Sequence, residues 1–126
     1  MIRRSAFLLL TVVAIAGCHK KEPPVAQKPS EAVLLYYAAL NARDSVAYKA
    51  VISQTRTESL QAHPDILPRV MEHWNGRHAE VKILSERENG VVGFVQYHVK
   101  ISGKDPGDTT LTLQVYKEDG SWKFGF

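Results

Sequence analysis

The spacing of the hydrophobic residues changes once along this chain, and that change constrains the fold more than any other feature. Over residues 30–52 and 65–74 apolar side chains recur at helical intervals, whereas from Ala79 onward they alternate with polar ones. Helices followed by a run of alternating strands are typical of the α+β class, in which helices cover one face of an antiparallel sheet. The sequence therefore predicts three N-terminal helices packed on a curved four-stranded antiparallel sheet.

Residues that favour helix ends divide the first half of this domain. Ser30 and Asp44 are the expected N-caps of the first two helices, because their side chains can accept hydrogen bonds from free backbone N–H groups. A third helix is predicted over residues 65–74, with Pro68 tolerated only in its first turn. The polar stretch over residues 53–63 is predicted to be a loop or a frayed helical turn.

The second half is predicted to be a meander of four strands. Two turn signals, Glu88-Asn89-Gly90 and Glu118-Asp119-Gly120, separate runs of alternating residues. In the longest strand we expect Tyr97 to face the helices and His98 to face the other side of the sheet. Gly93 in the same strand predicts a bulge or bend, which would curve the sheet around the helices.

The N-terminal residues have the organisation of an export signal. Two arginines near the start supply positive charge, an apolar run follows over residues 6–15, and small residues precede Cys18. A membrane-spanning helix is one alternative, but it needs about 18 or more apolar residues and the run is shorter. An ordinary secretory signal that leaves Cys18 as a free thiol is the other alternative.

The quartet Ile15-Ala16-Gly17-Cys18 resembles the lipobox of bacterial lipoproteins. In such proteins the cysteine sulfur receives a diacylglyceryl group, the chain is cleaved before that cysteine, and the new amine is acylated, often with palmitate. The resemblance implies a signal peptide over residues 1–17, lipidation at Cys18 and a periplasm-facing location in the cell envelope. His19 follows the cysteine where an aspartate would signal retention, which in a Gram-negative host resembles sorting to the outer membrane.

Charge and composition separate a tether from a folded domain. Residues 18–29 comprise Cys18 and a polar, proline-rich stretch that we expect to be a flexible tether, reaching roughly 20 to 35 Å. Residues 30–126 carry 11 basic and 12 acidic side chains. A nearly neutral domain lacks the basic excess typical of nucleic-acid binding. The expected partner is therefore the membrane, through Cys18, and not nucleic acid.

The domain over residues 30–126 resembles the nuclear transport factor 2-like (NTF2-like) superfamily, in particular its small bacterial lipoproteins of unknown function. Three stretches carry the resemblance: Ser-Glu-Ala-Val-Leu-Leu-Tyr-Tyr-Ala-Ala-Leu at residues 30–40, Arg43-Asp44-Ser45 with Ala47-Tyr48, and Asp119-Gly120-Ser121-Trp122-Lys123-Phe124. The resemblance implies a curved sheet cupping three helices around a cone-shaped pocket. Members of this superfamily often dimerise through the sheet, and they include both enzymes and binding modules.

Aromatic side chains and one histidine are the candidate pocket or interface residues, with a purely structural core as the alternative: Tyr37, Trp74, Tyr97, His98 and Trp122. Three histidines (His73, His78 and His98) could supply imidazole ligands to zinc, but their spacing matches no recognised signature. No metal or cofactor is therefore predicted. No catalytic residue is predicted either, because the alternation places no Asp or Glu on an inward strand position.

These observations predict a lipid-anchored envelope protein whose domain binds a small molecule or a protein without catalysis. One alternative is an enzyme of the same cone fold, acting as an isomerase or hydratase. Another is an immunity-type lipoprotein whose outer sheet face, around His98, binds a second copy or an envelope protein. The sequence does not decide between the three.

Overall fold

The computed structural model describes residues 25–125, so the predicted signal peptide and Cys18 lie outside the described residues. Four helices come first: α1 (Pro29–Ala42), α2 (Ser45–Val51), α3 (Gln54–Ala62) and α4 (Ile66–His73). Four strands follow: β1 (Arg77–Asn89), β2 (Val92–Gly103), β3 (Gly107–Glu118) and β4 (Ser121–Phe124). Each strand pairs antiparallel with the next one along the chain. The α+β class and the four-stranded meander are confirmed, whereas the prediction of three helices is wrong.

The additional helix is α3, which occupies the stretch predicted to be a loop. Ser53 caps it, because its hydroxyl oxygen accepts a hydrogen bond from the Arg56 N–H at 3.3 Å. Leu60 is the one residue that α3 buries. A helix that buries a single side chain has no apolar periodicity, which explains why the sequence pattern did not reveal it.

The capping predictions were half right. Asp44 caps α2 as predicted, since its carboxylate accepts hydrogen bonds from Val46 N–H and Ala47 N–H, both at 3.1 Å. Ser30 does not cap α1, which begins one residue earlier at Pro29 with Lys28 at the N-cap position. Proline suits the first helical position because its fixed φ matches the helix and the N–H that it lacks would have no intrahelical partner.

The sequence suggested a bulge or bend at Gly93. The structure places the sheet irregularity in β1 instead. The β1–β2 register shifts between Ile83 and Ser85, which leaves Leu84 unpaired as a bulge. Gly93 has another role, because a Cβ atom at this position would lie 2.8 Å from Pro29 Cγ. The glycine therefore lets the first turn of α1 approach β2 closely.

Beyond the bulge, each residue of β1 lies on the opposite face of the sheet from the one that simple alternation predicts. Glu86 pairs with Val95, which is fully buried, so Glu86 faces the helices. There its carboxylate accepts hydrogen bonds from the Ser30 backbone N–H at 2.9 Å and the Ser30 hydroxyl at 3.0 Å. The predicted alternation therefore fails at Glu86, which lies on the helix-facing side of the sheet, although it remains exposed to solvent.

The core lies between α1 and the concave face of the sheet. α1 packs against all four strands, so the sheet curls around it. The largest side chains that are fully enclosed belong mostly to the strands and to α1, with Tyr48 from α2, and include Leu40, Tyr97, Trp122 and Phe124. The Asn41 side chain ties the far end of α1 to β1, since it both donates to the Ala79 carbonyl and accepts from the Ala79 N–H.

The segment before α1 lies against the domain. Ala26 is only 2% exposed, and its carbonyl accepts a hydrogen bond from the Trp122 N–H at 3.1 Å. Part of the stretch predicted to be a tether therefore packs beside β4. Within residues 25–125, no helix combines the length and the hydrophobicity that crossing a bilayer requires.

Candidate functional site

Three of the five predicted pocket residues meet inside the curled sheet. Tyr37 on α1 and Tyr97 on β2 share a buried hydrogen bond between their hydroxyl oxygens, which are 2.9 Å apart. The Trp74 ring, just after α4, stands edge-on to Tyr37 with 6.4 Å between ring centroids. We call Tyr37 and Tyr97 the tyrosine pair.

The tyrosine pair is neutral and retains hydrogen-bonding capacity. Burial raises the pKa of Tyr97, and the hydrogen bond with Tyr37 raises it further. Burial also raises the pKa of Tyr37, although the hydrogen bond with Tyr97 partly opposes this shift. Two hydroxyls that share one hydrogen bond leave one O–H hydrogen unused between them. The pair can therefore donate one more hydrogen bond to an acceptor that reaches it.

Aromatic rings fill the space around the tyrosine pair. Tyr36 stacks on Phe124 with ring centroids 3.7 Å apart, and it also contacts Tyr37 and Tyr48 at 5.2 and 5.4 Å. Burial is the main reason that the pKa of Tyr36 is raised. Tyr36, Trp74 and Phe124 all have ring contacts with Tyr37, so a ligand beside this tyrosine would have to displace at least one of them.

The other two predicted residues lie elsewhere. Trp122 is buried in the core on β4, with Lys117 Nζ 5.9 Å from the centre of its ring. His98 lies on the opposite face of the sheet, where Nδ1 is 3.0 Å from the Thr110 hydroxyl and Nε2 is 2.5 Å from Asp108. The five residues therefore do not form one site.

The three histidines considered as zinc ligands stand apart. His73 Nε2 contacts the Arg77 guanidinium at 2.6 Å, while His98 contacts Asp108 on the outer sheet face. His78 is exposed near the start of β1. In the part of the chain that the structure describes, no group of three His, Cys, Asp or Glu residues could hold a metal ion.

An open groove lies between the helices, away from the sheet. It has a volume of about 390 Å³ and is lined by residues of α2, α3, α4 and the α3–α4 connection: Lys49, Thr57, Leu60, Gln61, Pro64, Leu67 and Pro68. We call this space the helical groove. The sequence pattern did not reveal this groove, because α3 forms part of its lining and buries only Leu60, which is too little for an apolar pattern.

The helical groove combines apolar walls with polar groups. Leu60, Leu67 and two prolines supply hydrocarbon surface, while Thr57 and Gln61 supply hydrogen-bonding groups. Lys49 adds a positive charge to the lining. Such a combination suits a molecule with one apolar part and one anionic part.

Arg77 braces the end of α4, which forms one wall of the helical groove. Its guanidinium donates to the Lys104 carbonyl at 3.0 Å and to the Asp105 carbonyl at 3.1 Å. The same group lies 4.8 Å from the centre of the Trp74 ring, within the range of a cation–π interaction. These contacts hold the last turn of α4 against β1 and the β2–β3 loop.

No family model matches this sequence, and no curated protein matches it closely. Among solved structures, a SEC-C motif-containing protein of Rhodopseudomonas palustris is similar with a TM-score of 0.66 and 17% identity, over 82% of this chain and 79% of that chain. A domain of unknown function with a cystatin-like fold from Nostoc punctiforme has a TM-score of 0.56 and 15% identity, over 75% of this chain and 70% of that chain.

An NTF2-like family protein of Streptomyces avermitilis, provisionally assigned as a dehydratase, has a TM-score of 0.56 at 10% identity. The match covers 79% of this chain and 89% of that chain. At such low identity these likenesses describe the fold alone. The chain therefore has an α+β fold of the NTF2-like and cystatin-like kind, and the functions of these neighbours do not transfer to it.

Proposed function

We propose that this protein is a lipid-anchored binding domain of the cell envelope, attached through Cys18, that binds a small amphiphilic anion in the helical groove. The volume and lining of the groove carry the binding half of this proposal. Its volume of about 390 Å³ falls within the range of roughly 300 to 1,000 Å³ that is typical of small-molecule sites. The order of charged, apolar and small residues before Cys18 supports the anchoring half.

The groove is a better binding site than the cone interior because it is already open. Entry to the tyrosine pair would displace at least one of the rings that contact Tyr37, which belong to Tyr36, Trp74 and Phe124. Binding in the groove requires no such displacement. An apolar group can cover Leu60 and Leu67, while an anionic group is attracted to the ammonium group of Lys49.

A fluorescent probe with the proposed chemistry tests the binding site. We suggest 8-anilinonaphthalene-1-sulfonate, which combines aromatic rings with a sulfonate, titrated into the mature chain carrying Cys18→Ser. Lys49→Glu should weaken binding at least about fivefold, because it removes an exposed charge pair of about 1 kcal/mol and places a like charge beside the anion. Lys82→Glu, which makes the same charge change at an exposed position of β1, is the matched control.

Equal affinities for the two lysine variants would contradict a site at the groove. Leu67→Glu should reduce binding more strongly than Lys49→Glu, because it places a charge on the apolar wall. Far-UV circular dichroism of each variant shows whether the helices persist, since the probe also binds partly unfolded chains.

Membrane fractionation tests the anchor. The wild-type chain, expressed in a Gram-negative host, should remain with membranes during an alkaline wash, because multiple acyl chains bind far more firmly than a single one. Cys18→Ser should be released by the same wash. Retention of the Cys18→Ser chain would show that something other than lipidated Cys18 holds the protein.

The tyrosine pair supports one other candidate function, an enzyme that places a developing oxyanion against the unused O–H of the pair. Such an enzyme would have to open the aromatic interior during each turnover. Hydration or isomerisation activity that is lost in Tyr97→Phe and retained in Lys49→Glu would favour this candidate. Probe binding that is weakened in Lys49→Glu and unchanged in Tyr97→Phe would favour the groove.

A further inference from the structure

The start of the described chain and two β-turns lie at the same end of the domain. The Ala26 carbonyl accepts a hydrogen bond from the Trp122 N–H, just after the β3–β4 turn. The Lys117 N–H, just before that turn, donates to the Val91 carbonyl at 2.8 Å, and this hydrogen bond connects the β3–β4 turn to the β1–β2 turn. We call this region the hairpin end. It comprises Val25, Asn89, Gly90, Val91, Asp119 and Gly120.

The connection between Cys18 and the hairpin end is short. Eight residue steps separate Cys18 from Ala26, and even a fully extended chain covers at most about 3.3 to 3.6 Å per step, or about 28 Å in total. If the acyl chains of Cys18 are inserted in a bilayer, the hairpin end must therefore lie within about 28 Å of the headgroups.

The opposite end of the sheet lies farther from Ala26. β2 runs from the hairpin end to the β2–β3 loop and contains 12 residues, so the two ends are separated by up to about 36 Å at about 3.3 Å per residue. An upright inverted domain, with the β2–β3 loop on the bilayer, would hold Ala26 up to about 36 Å above it. A connection of about 28 Å at full extension disfavours that orientation.

The exposed side chains at the hairpin end suit contact with a lipid surface. Val25 and Val91 are 57% and 62% exposed, although both are apolar. The nearby charges are of both signs, with basic Lys28, Arg87 and Lys117 beside acidic Glu31, Glu86, Glu88, Glu118 and Asp119. They form no basic patch, so apolar contact and the length of the connection would define this surface.

We propose that the hairpin end rests on the surface of the bilayer to which Cys18 is anchored, with Val25 and Val91 at the interface. Arg77 and the β2–β3 loop, to which its guanidinium is hydrogen-bonded, then face away from the membrane. This inference rests on the lipid attachment proposed above, and it adds an orientation that attachment alone does not supply.

Energy transfer from two labelled positions tests the orientation. The full chain is expressed with Asn89→Cys or Lys104→Cys, purified in its lipidated form and reconstituted into phosphatidylethanolamine and phosphatidylglycerol vesicles that carry a headgroup acceptor. Cys18 is the sole native cysteine, so once its sulfur is lipidated the donor dye labels only the introduced thiol. Asn89 and Lys104 are both exposed, one at each end of the sheet.

The label at position 89 should transfer energy to the headgroups at least about twofold more efficiently than the label at position 104, given the separation of the two ends. Val91→Glu should lower transfer from position 89, whereas Val46→Glu, at a 67% exposed valine of α2, should not. Equal transfer from the two labels, or transfer unaffected by Val91→Glu, would overturn the proposed contact. Release of the labelled chains from vesicles by an alkaline wash would instead overturn the anchoring at Cys18, and the orientation with it.

Discussion

The two sides of this domain are built differently. On the sheet side, α1 and the strands enclose rings that contact one another, and Tyr97 and Phe124 are almost fully buried. On the helical side, α3 buries only Leu60 and α4 has no fully buried residue, and the helical groove opens between them. The comparison indicates that the aromatic interior supplies most of the stability, while the loosely covered helices supply space for a ligand.

Truncation of Phe124 should produce the largest effect on stability. Phe124→Ala removes a buried ring that stacks on Tyr36, and we expect a loss of about 3 to 5 kcal/mol in the free energy of unfolding. Leu67→Ala, in the partly buried wall of the groove, should cost about 1 kcal/mol. Urea unfolding of both variants measures the difference, and equal losses would contradict the division between the two sides.

The next largest effect is expected where α1 meets the sheet. Gly93→Ala would place its Cβ 2.8 Å from Pro29 Cγ and 3.0 Å from Val115 Cγ2, so we expect a loss of about 2 kcal/mol from overpacking. Gly107→Ala is the matched control, because a Cβ there meets nothing within 4 Å. If both variants unfold at the same urea concentration, α1 can shift away from β2 without cost.

The sequence predicted the aromatic interior better than it predicted the bulge in β1 or the helical groove. Alternation predicted the inward facing of Tyr97 because buried strand residues repeat every second position. The same rule failed beyond Ile83, since the bulge at Leu84 has no signature in a run of mixed residues. For the candidate site, the aromatic spacing identified the members of the tyrosine pair, but the helical groove depends on α3, whose apolar content is too low to give a pattern.

The tyrosine pair should make the free energy of unfolding fall as the pH rises into the alkaline range. Burial raises the pKa of Tyr37 above its ordinary value of 10.0, and the pKa of Tyr97 is raised as well. Their contribution to stability is therefore complete below pH 10 and is lost as the pH rises from there towards the folded-state pKa values. Tyr97→Phe should cost about 1 to 2 kcal/mol at neutral pH, because the Tyr37 hydroxyl loses its partner.

Unfolding followed between pH 7 and pH 11 checks this dependence. The wild-type curve should fall above pH 10, and Tyr97→Phe should fall less steeply because one buried hydroxyl that resists ionisation is gone. Tyr116→Phe serves as the control, since the hydroxyl of Tyr116 bonds to Gln114 on the exposed face of the sheet. A parallel fall in all three proteins would show that the buried pair does not govern the alkaline limb.

The smallest effect is expected at the residue that the bulge turns towards the helices. Glu86 accepts two hydrogen bonds from Ser30 in the first turn of α1, where a negative charge also interacts favourably with the helix dipole. Glu86→Gln should cost about 0.5 to 1 kcal/mol, since it keeps one acceptor and removes the charge. Glu88→Gln makes the same change two residues along the same strand, at an exposed position.

A double-mutant cycle separates the contact from the general effect of charge. If Glu86 acts through the Ser30 hydroxyl, the losses for Glu86→Gln and Ser30→Ala should add to more than the loss of the double variant, because both changes alter the hydrogen bond between this hydroxyl and the Glu86 carboxylate. Additive losses would mean that Glu86 stabilises α1 only through its charge and its hydrogen bond with the Ser30 backbone N–H. In that case the bulge would matter for the curvature of the sheet and not for the start of the helix that packs against all four strands.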